Sequence, residues 1–325
     1  MDRRTFLKSS TAAAALPASA AVAAASSTQP IDTSDRPDEA RRPDAHVWRL
    51  ASPRNTLLRD AADQLGDRLR MAAGGQIAIE WQETTPHAAS LRDLIAAGEC
   101  DGAFGIAPDL LGEPGLSLFT GLPGGLGVAP DQLLAWHTIA GGDMLLDEAA
   151  DTLGAKVLLA GHTGARPGLW STRDITDLRD VATTDIEAAS LGRLVWDRIR
   201  EPFAAPGTEA RAIEFPGDPV TALRNARAAG LGYLFRDSLH EQGFALSLVL
   251  SRSAWDRLDN AVRTVVEAVT RAAAHEAVAV AAYNQRADLP ANARAGAINM
   301  RTLPGILRQA IDHKATDVTR VTHEQ

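Results

Sequence analysis

The sequence predicts an α/β protein of two lobes, each a largely parallel sheet covered by helices. Three observations carry this. Strand and helix patterns alternate from His46 to Ile106 and again from Val181 to Phe235, which is the repeat of a parallel sheet with both faces covered. The alternation breaks at Gly161-His162-Thr163-Gly164-Ala165-Arg166-Pro167-Gly168-Leu169-Trp170-Ser171 and again near Gln242 to Ser251, where the chain would cross between lobes. From Ser253 to Ala287 one helical pattern runs on; at about 1.5 Å per residue it would reach ~50 Å, enough to span both lobes.

The chain opens on an address label. Asp2-Arg3-Arg4-Thr5-Phe6-Leu7-Lys8 precedes an uncharged, alanine-rich stretch, the form of a twin-arginine export signal over residues 1–26. Thr11 to Ala25 is too weakly apolar for a permanent anchor. Ala18-Ser19-Ala20 and Ala21-Val22-Ala23 offer cleavage sites, so the mature chain would start between about Ala21 and Ser27. Residues 27–44, rich in Pro, Asp, Arg and Ser, read as a flexible linker. The two-lobe domain then occupies 45–325, with lobe 1 at about 45–160 plus C-terminal segments and lobe 2 at about 165–245.

A first strand is expected at His46 to Leu50, with Val47 and Trp48 competing for the core side. Leu58, Ala61, Ala62, Leu65 and Leu69 share a helix face that Gly74-Gly75 ends. Ile77, Ile79 and Trp81 alternate as a strand, His87 to Ala97 is helical, and Asp101 to Ile106 is extended. Pro130 opens a helix broken at Gly141-Gly142 and resumed at Met144. Lys156 to Leu159 is a buried-strand run leading into the first crossing. Beyond it, Val181 to Thr184, Ala212 to Phe215 and Leu231 to Phe235 are expected strands, with helices at Ala188 to Ile199 and Pro219 to Ala229. Ala245 to Ser251 is another strand. The long helix has Trp255, Leu258, Val262, Val265, Val266, Val269 and Ala273 on its buried stripe. Ile298 to Leu303 and Pro304 to Thr322 end the chain as strand and helix.

Composition narrows the function. A formal charge of -8 over 325 residues argues against nucleic acid and anionic membranes as partners. An anionic ligand would therefore need a local cation. The single cysteine, Cys100, excludes an internal disulfide and reads as a small core residue. No nucleophile elbow, phosphate loop or dinucleotide fingerprint is present, and the eight histidines form no metal-ligand pair. The expectation is a non-enzyme without cofactor or metal.

The glycine-rich stretch, read alone, is a surface loop with one solvated arginine or a cleft-forming crossing. Its neighbours favour the second. Leu122-Pro123-Gly124-Gly125-Leu126, Ala135-Trp136, Ala140-Gly141-Gly142, Leu153-Gly154-Ala155-Lys156, the stretch itself, Ile175 and Asp177-Leu178-Arg179-Asp180 follow in order. This series resembles the solute-binding proteins of tripartite ATP-independent periplasmic (TRAP) transporters, in the branch that binds 2-oxo acids and other small carboxylates. The resemblance runs with gaps from about Val47 to about Leu303. It implies a two-lobe periplasmic binding protein fold of type II, a long helix bracing both lobes, a small organic anion as ligand and membrane transporter subunits as partners. It also implies that the lobe-two arginine of relatives falls at Thr184, and a metal-binding glutamine at Arg166. The acidic-tryptophan pair that completes their cation site falls at Gly232 and Tyr233. A metal is thus not expected. The resemblance leaves two readings: a reshaped carboxylate site using Arg166, Trp170, Thr184 and Tyr233, or a scaffold that has lost the family's ligand and serves as an interaction or regulatory protein.

Overall fold

The structure, a computed structural model, describes residues 45–51, 56–82, 91–164, 168–203, 209–214, 219–236, 242–284 and 298–324. The expected export signal over residues 1–26, the expected linker over 27–44 and Arg166 lie outside the described residues.

Ten described strands form two five-stranded sheets. The first has the order β2 (Ile77–Gln82), β1 (His46–Ala51), β3 (Gly102–Gly105), β9 (Ala245–Ser251) and β4 (Ala155–His162). The second has the order β10 (Asn299–Arg301), β8 (Tyr233–Phe235), β5 (Leu169–Ser171), β7 (Ala210–Ile213) and β6 (Thr184–Glu187). Ile77 and Phe235 therefore belong to separate sheets, as a two-lobe fold requires. Four strands of each sheet run one way; β9 and β5 run against them. Geometry explains those exceptions. β4 and β8 run toward the crossings, so the strands that follow them enter the other sheet from the crossing end and run away from it.

The first lobe follows its sequence pattern closely. In β1 the alternation settles on Trp48 and Leu50 as core residues, leaving Val47 half-buried. Helix α1 (Thr56–Ala72) lays Ala62, Leu65 and Leu69 on them and stops at Gly74 and Gly75, both in the left-handed region. The other face is covered by α2 (Leu91–Ala96), α3 (Ala107–Leu111), α4 (Ser117–Thr120), α5 (Pro130–Ile139) and α6 (Gly142–Asp151). The break between α5 and α6 falls at Gly141, φ +87, as expected.

The long helix is shorter than its pattern promised. The chain forms α10 (Arg252–Asp256), breaks, and resumes as α11 (Asn260–Asn284), 25 residues or about 37 Å. The break is capped from both sides. Asp259 Oδ1 accepts the Val262 N–H at 2.8 Å, and the Arg263 guanidinium donates to the carbonyls of Trp255 (3.3 Å) and Asp256 (2.9 Å). Trp255, Leu258, Val262, Val266 and Ala274 are buried against the first lobe, where α11 packs on β4, α1 and α5. Its far end reaches the first crossing, where a Cβ built on Gly164 would lie 2.5 Å from that of Ala281.

The second lobe departs in register. The expected strand at Val181 to Thr184 is instead the end of α7 (Leu178–Ala182), nucleated by a capping box in which Asp177 accepts the N–H groups of Arg179 and Asp180 while Asp180 accepts that of Asp177. Strand β6 starts only at Thr184. Similarly β7 runs from Ala210 to Ile213, two residues earlier than expected. α8 (Leu191–Arg200) buries Val195, Trp196 and Ile199, and α9 (Pro219–Ala228) covers the opposite face. Of the C-terminal segments, 245–284 packs on the first sheet. Residues 298–324 instead complete the second: β10 pairs with β8, and α12 (Gly305–Glu324) buries Leu307, Ile311, Ala315 and Val318 beside Trp196.

Candidate functional site

The chain passes between the sheets after β4, after β8 and again between α11 and β10, and the first two of these crossings lie against each other. Thr163 N–H donates to Phe244 C=O at 2.8 Å, and Phe244 N–H donates to Thr163 Oγ1 at 2.8 Å. Gly243 takes φ +79, and a Cβ there would collide with the Gly164 carbonyl. At the end of β4, His162 is 7% exposed and its Nδ1 accepts the Gly164 N–H at 2.9 Å. Burial pushes its pKa down to about 4, so the ring stays neutral and keeps its acceptor.

In open α/β sheets the ligand crevice lies beyond the carboxyl ends of the strands. Here that position is reached from the first lobe by the ends of β1 and β3, and from the second by those of β6, β7 and β8. The segments after β1, β2, β7 and β8, at 52–55, 83–90, 215–218 and 237–241, lie outside the described residues. What is described shows the lobes in contact. Ser190 N–H, leading into α8, donates to Asp109 Oδ1 of α3 at 2.8 Å, and Ser190 Oγ lies 2.5 Å from Ser117 Oγ of α4. Ala189 packs on the first-lobe core. Ser190 is the one non-glycine residue with positive φ among the described residues (φ 55, ψ -138), a backbone state that costs roughly 1–3 kcal/mol.

The residues singled out from the sequence are not brought together. Arg166 lies outside the described residues. Trp170 is fully buried in β5, packed with Ile213 and Leu234. Thr184 is also fully buried, its hydroxyl donating to the Asp180 carbonyl at 2.6 Å. It begins β6, whereas the end of that strand nearest the other lobe is Glu187 to Ser190. Tyr233 begins β8 and faces the α12 side, with the Arg301 guanidinium carbon 5.9 Å from its ring. Since Trp170 pairs with Leu234 and Tyr233 with Ser171, the two aromatics occupy opposite faces of the sheet.

At the cleft end of β8 stand Phe235 and Arg236 instead. Arg236 is exposed, its N–H donates to the Arg301 carbonyl at 3.1 Å, and its Cα is 3.0 Å from where a Cβ on Gly168 would sit. It therefore lies beside the first crossing. The signal that could have found it is a cation placed directly after the apolar run Leu231 to Phe235. The side chains of Phe235 and Arg236 offer no oxygen to a metal ion, and residues 237–241 lie outside the described residues. No group of three or more His, Cys, Asp or Glu side chains placed to hold a metal occurs among the described residues.

A separate cavity of about 120 Å³ lies inside the first lobe between α5, β4 and α11. It contains His137, whose Nδ1 is 3.0 Å from Asp143 Oδ1 and whose Nε2 is 2.8 Å from the Phe119 carbonyl oxygen. The hydrogen bond from His137 holds the Asp143 carboxyl below its ordinary range. Both ring nitrogens are thereby engaged, and only one lobe lines the cavity.

Solved structures share this arrangement across 86% of the chain. A TRAP periplasmic solute-binding protein from Pseudoalteromonas atlantica, with bound sodium and pyruvate, superposes at TM-score 0.71 and 18% identity over 90% of its length. One from Bordetella bronchiseptica, with copurified calcium and picolinate, gives 0.73 and 17% over 87%. One from Colwellia psychrerythraea, with calcium and pyruvate, gives 0.71 and 19% over 92%. The fold is that of the TRAP solute-binding proteins. Among family models and curated proteins, nothing matches the sequence. The strands opposing their sheets, β5 and β9, each follow directly on a strand of the other lobe, β4 and β8. No described helix is long and apolar enough to cross a membrane.

Proposed function

We propose that the chain is a periplasmic solute-binding protein of a TRAP-type transporter, exported by the twin-arginine route, which captures a small organic acid between its lobes and presents it to the membrane subunits. The observation that carries this reading is the pair of hydrogen-bonded crossings between two similarly built sheets, a geometry suited to a pivot rather than to a fixed active site. The ligands of the structural neighbours, pyruvate and picolinate among them, are small carboxylates, and the same chemistry is proposed here.

An acidic protein needs a fixed local cation to hold such a ligand. Arg166, in the first crossing, is proposed for that role, with Arg236 next to the same crossing as a second donor. In this arrangement Trp170 and Thr184 support the sheet behind the cleft, and Tyr233 anchors the start of β8. A charge-assisted pair contributes ~1.5–3 kcal/mol, so Arg166→Ala should weaken binding at least about tenfold. Calorimetry against mono- and dicarboxylates, sugar acids and amino acids, wild type beside Arg166→Ala, tests this. Equal affinities would remove Arg166 from the site; binding to nothing in the panel would favour the scaffold-only interaction protein.

A further inference from the structure

We propose that Asp109 makes the site selective among small acids: it admits those that carry a hydroxyl or ammonium group besides their carboxylate, and it turns away dicarboxylates. This rests on the solute-binding reading and narrows the class of solute. β3 is the middle strand of the first sheet. From Asp101 to Pro108 every residue is buried, and Asp109, in the first turn of α3, is where the chain emerges beyond the carboxyl end of that strand. The crevice of an open α/β sheet lies at that end. The carboxylate faces the second lobe, since its Oδ1 accepts the Ser190 N–H at 2.8 Å.

The neighbouring charges define what Asp109 selects. Among the described residues at the second lobe's crevice-facing strand ends, Glu187 is taken up by Arg211 at 3.0 Å and Glu214 is 2% exposed. The exposed charges that remain are Arg236 after β8 and, from the first lobe, Asp109. Fixed charges of opposite sign on the two lobes suit a solute that brings both a carboxylate and a donor. A carboxylate has about four lone-pair sites, so a solute hydroxyl or ammonium can share Asp109 with the Ser190 N–H. A second solute carboxylate would meet a like charge instead, and in a site shielded from water that repulsion is stronger than in bulk.

Two matched series of acids test this by calorimetry on the full chain. Propanoate, lactate, alanine and methylmalonate share one carboxylate and differ at the second carbon. Butanoate, 4-hydroxybutanoate, 4-aminobutanoate and succinate differ at the far end. In the series that binds, the hydroxy or amino acid should bind the wild type at least about tenfold more tightly than the dicarboxylate. Asp109→Asn keeps an oxygen for the Ser190 N–H and removes the charge. It should tighten the dicarboxylate and weaken the amino acid, narrowing their ratio at least about tenfold. Damage to the fold would move both affinities the same way. Glu148→Gln, which removes an exposed charge on α6, should leave the ratio unchanged. A wild type that prefers the dicarboxylate, or an Asp109→Asn ratio equal to that of the wild type, would overturn the role of Asp109 while solute binding stands. Binding to no member of either series would overturn it as well, and the broader acid panel then decides the solute-binding reading on its own.

Discussion

Acidification should weaken this fold through His162, and the size of the effect can be worked out. The ring ends β4 at the first crossing, 7% exposed, with Nδ1 accepting the Gly164 N–H. Protonation would place a charge in an apolar setting and remove that acceptor. The folded pKa of about 4 lies below the unfolded value near 6.5. Between those values the unfolded chain binds more protons, so stability rises with pH across the window. The contribution is complete above about pH 6.5 and is lost as pH falls toward 4; from the two pKa values, the loss by pH 5 is about 2 kcal/mol. His162→Asn supplies the control, because its amide oxygen can accept the Gly164 N–H but cannot titrate. Urea unfolding at pH 7.5 and pH 5 should show the wild type losing about 2 kcal/mol more than His162→Asn. Comparing the two proteins cancels the carboxylates they share. Equal losses would show that His162 takes up its proton without cost in the folded state, and would refute its assignment as a neutral hinge acceptor.

The glycines give a paired prediction. Gly243 and Gly154 have similar positive φ, +79 and +67, but a Cβ on Gly243 would meet the Gly164 carbonyl and Thr163 Oγ1, whereas one on Gly154 would meet nothing within 4 Å. Gly154→Ala should cost ~1 kcal/mol from conformation alone, and Gly243→Ala more than ~2 kcal/mol, measured by chemical denaturation; equal costs would mean that the crossings are not packed as described. For export, replacing Arg3-Arg4 by two lysines should trap the precursor in the cytoplasm. Mature protein appearing outside at the normal rate would reject the twin-arginine signal.

Much of the fold was legible because it rests on period and punctuation. Trp48 and Leu50 alternate, Leu65 and Leu69 recur at helical spacing, and Gly74 and Gly141 end helices by conformations that favour glycine. The two sheets and the crossings followed from these. Capping was less visible. Asp177 and Asp180 turned an expected strand into a helical turn, and Asp259 with Arg263 split the long helix. The candidate site was least legible, for a related reason. Both Thr184 and the pair Gly232-Tyr233 were matched to the cleft, yet each lies at the strand's far end, about three residues before Glu187 and Phe235. A period-two pattern marks which residues face a core; it does not mark where a strand stops, and the crevice is built at the stops. The Asp109–Ser190 contact was invisible because residues 81 apart meet only once two sheets have formed.

These strand ends also explain how the fold can persist while the cleft changes. The cores are made from strand middles and helix faces: Trp170 with Leu234 and Ile213 on one side of the second sheet, Phe235 with Leu307 and Trp196 on the other. None of those contacts depends on which side chain follows the last paired residue of a strand. Arg236, exposed just after β8, is therefore chemically independent of the packing behind it, whereas Ala188 and Ala189 after β6 pack into the cores. Among the described residues near these strand ends, two carry opposite charge: Arg236 beside the first crossing and Asp109 on α3. Under the proposed function, a carboxylate solute would be attracted by the first and repelled by the second. Its affinity is then a difference between two similar interactions, not the sum of its contacts, and single substitutions at these positions should move binding by large factors without moving the unfolding midpoint.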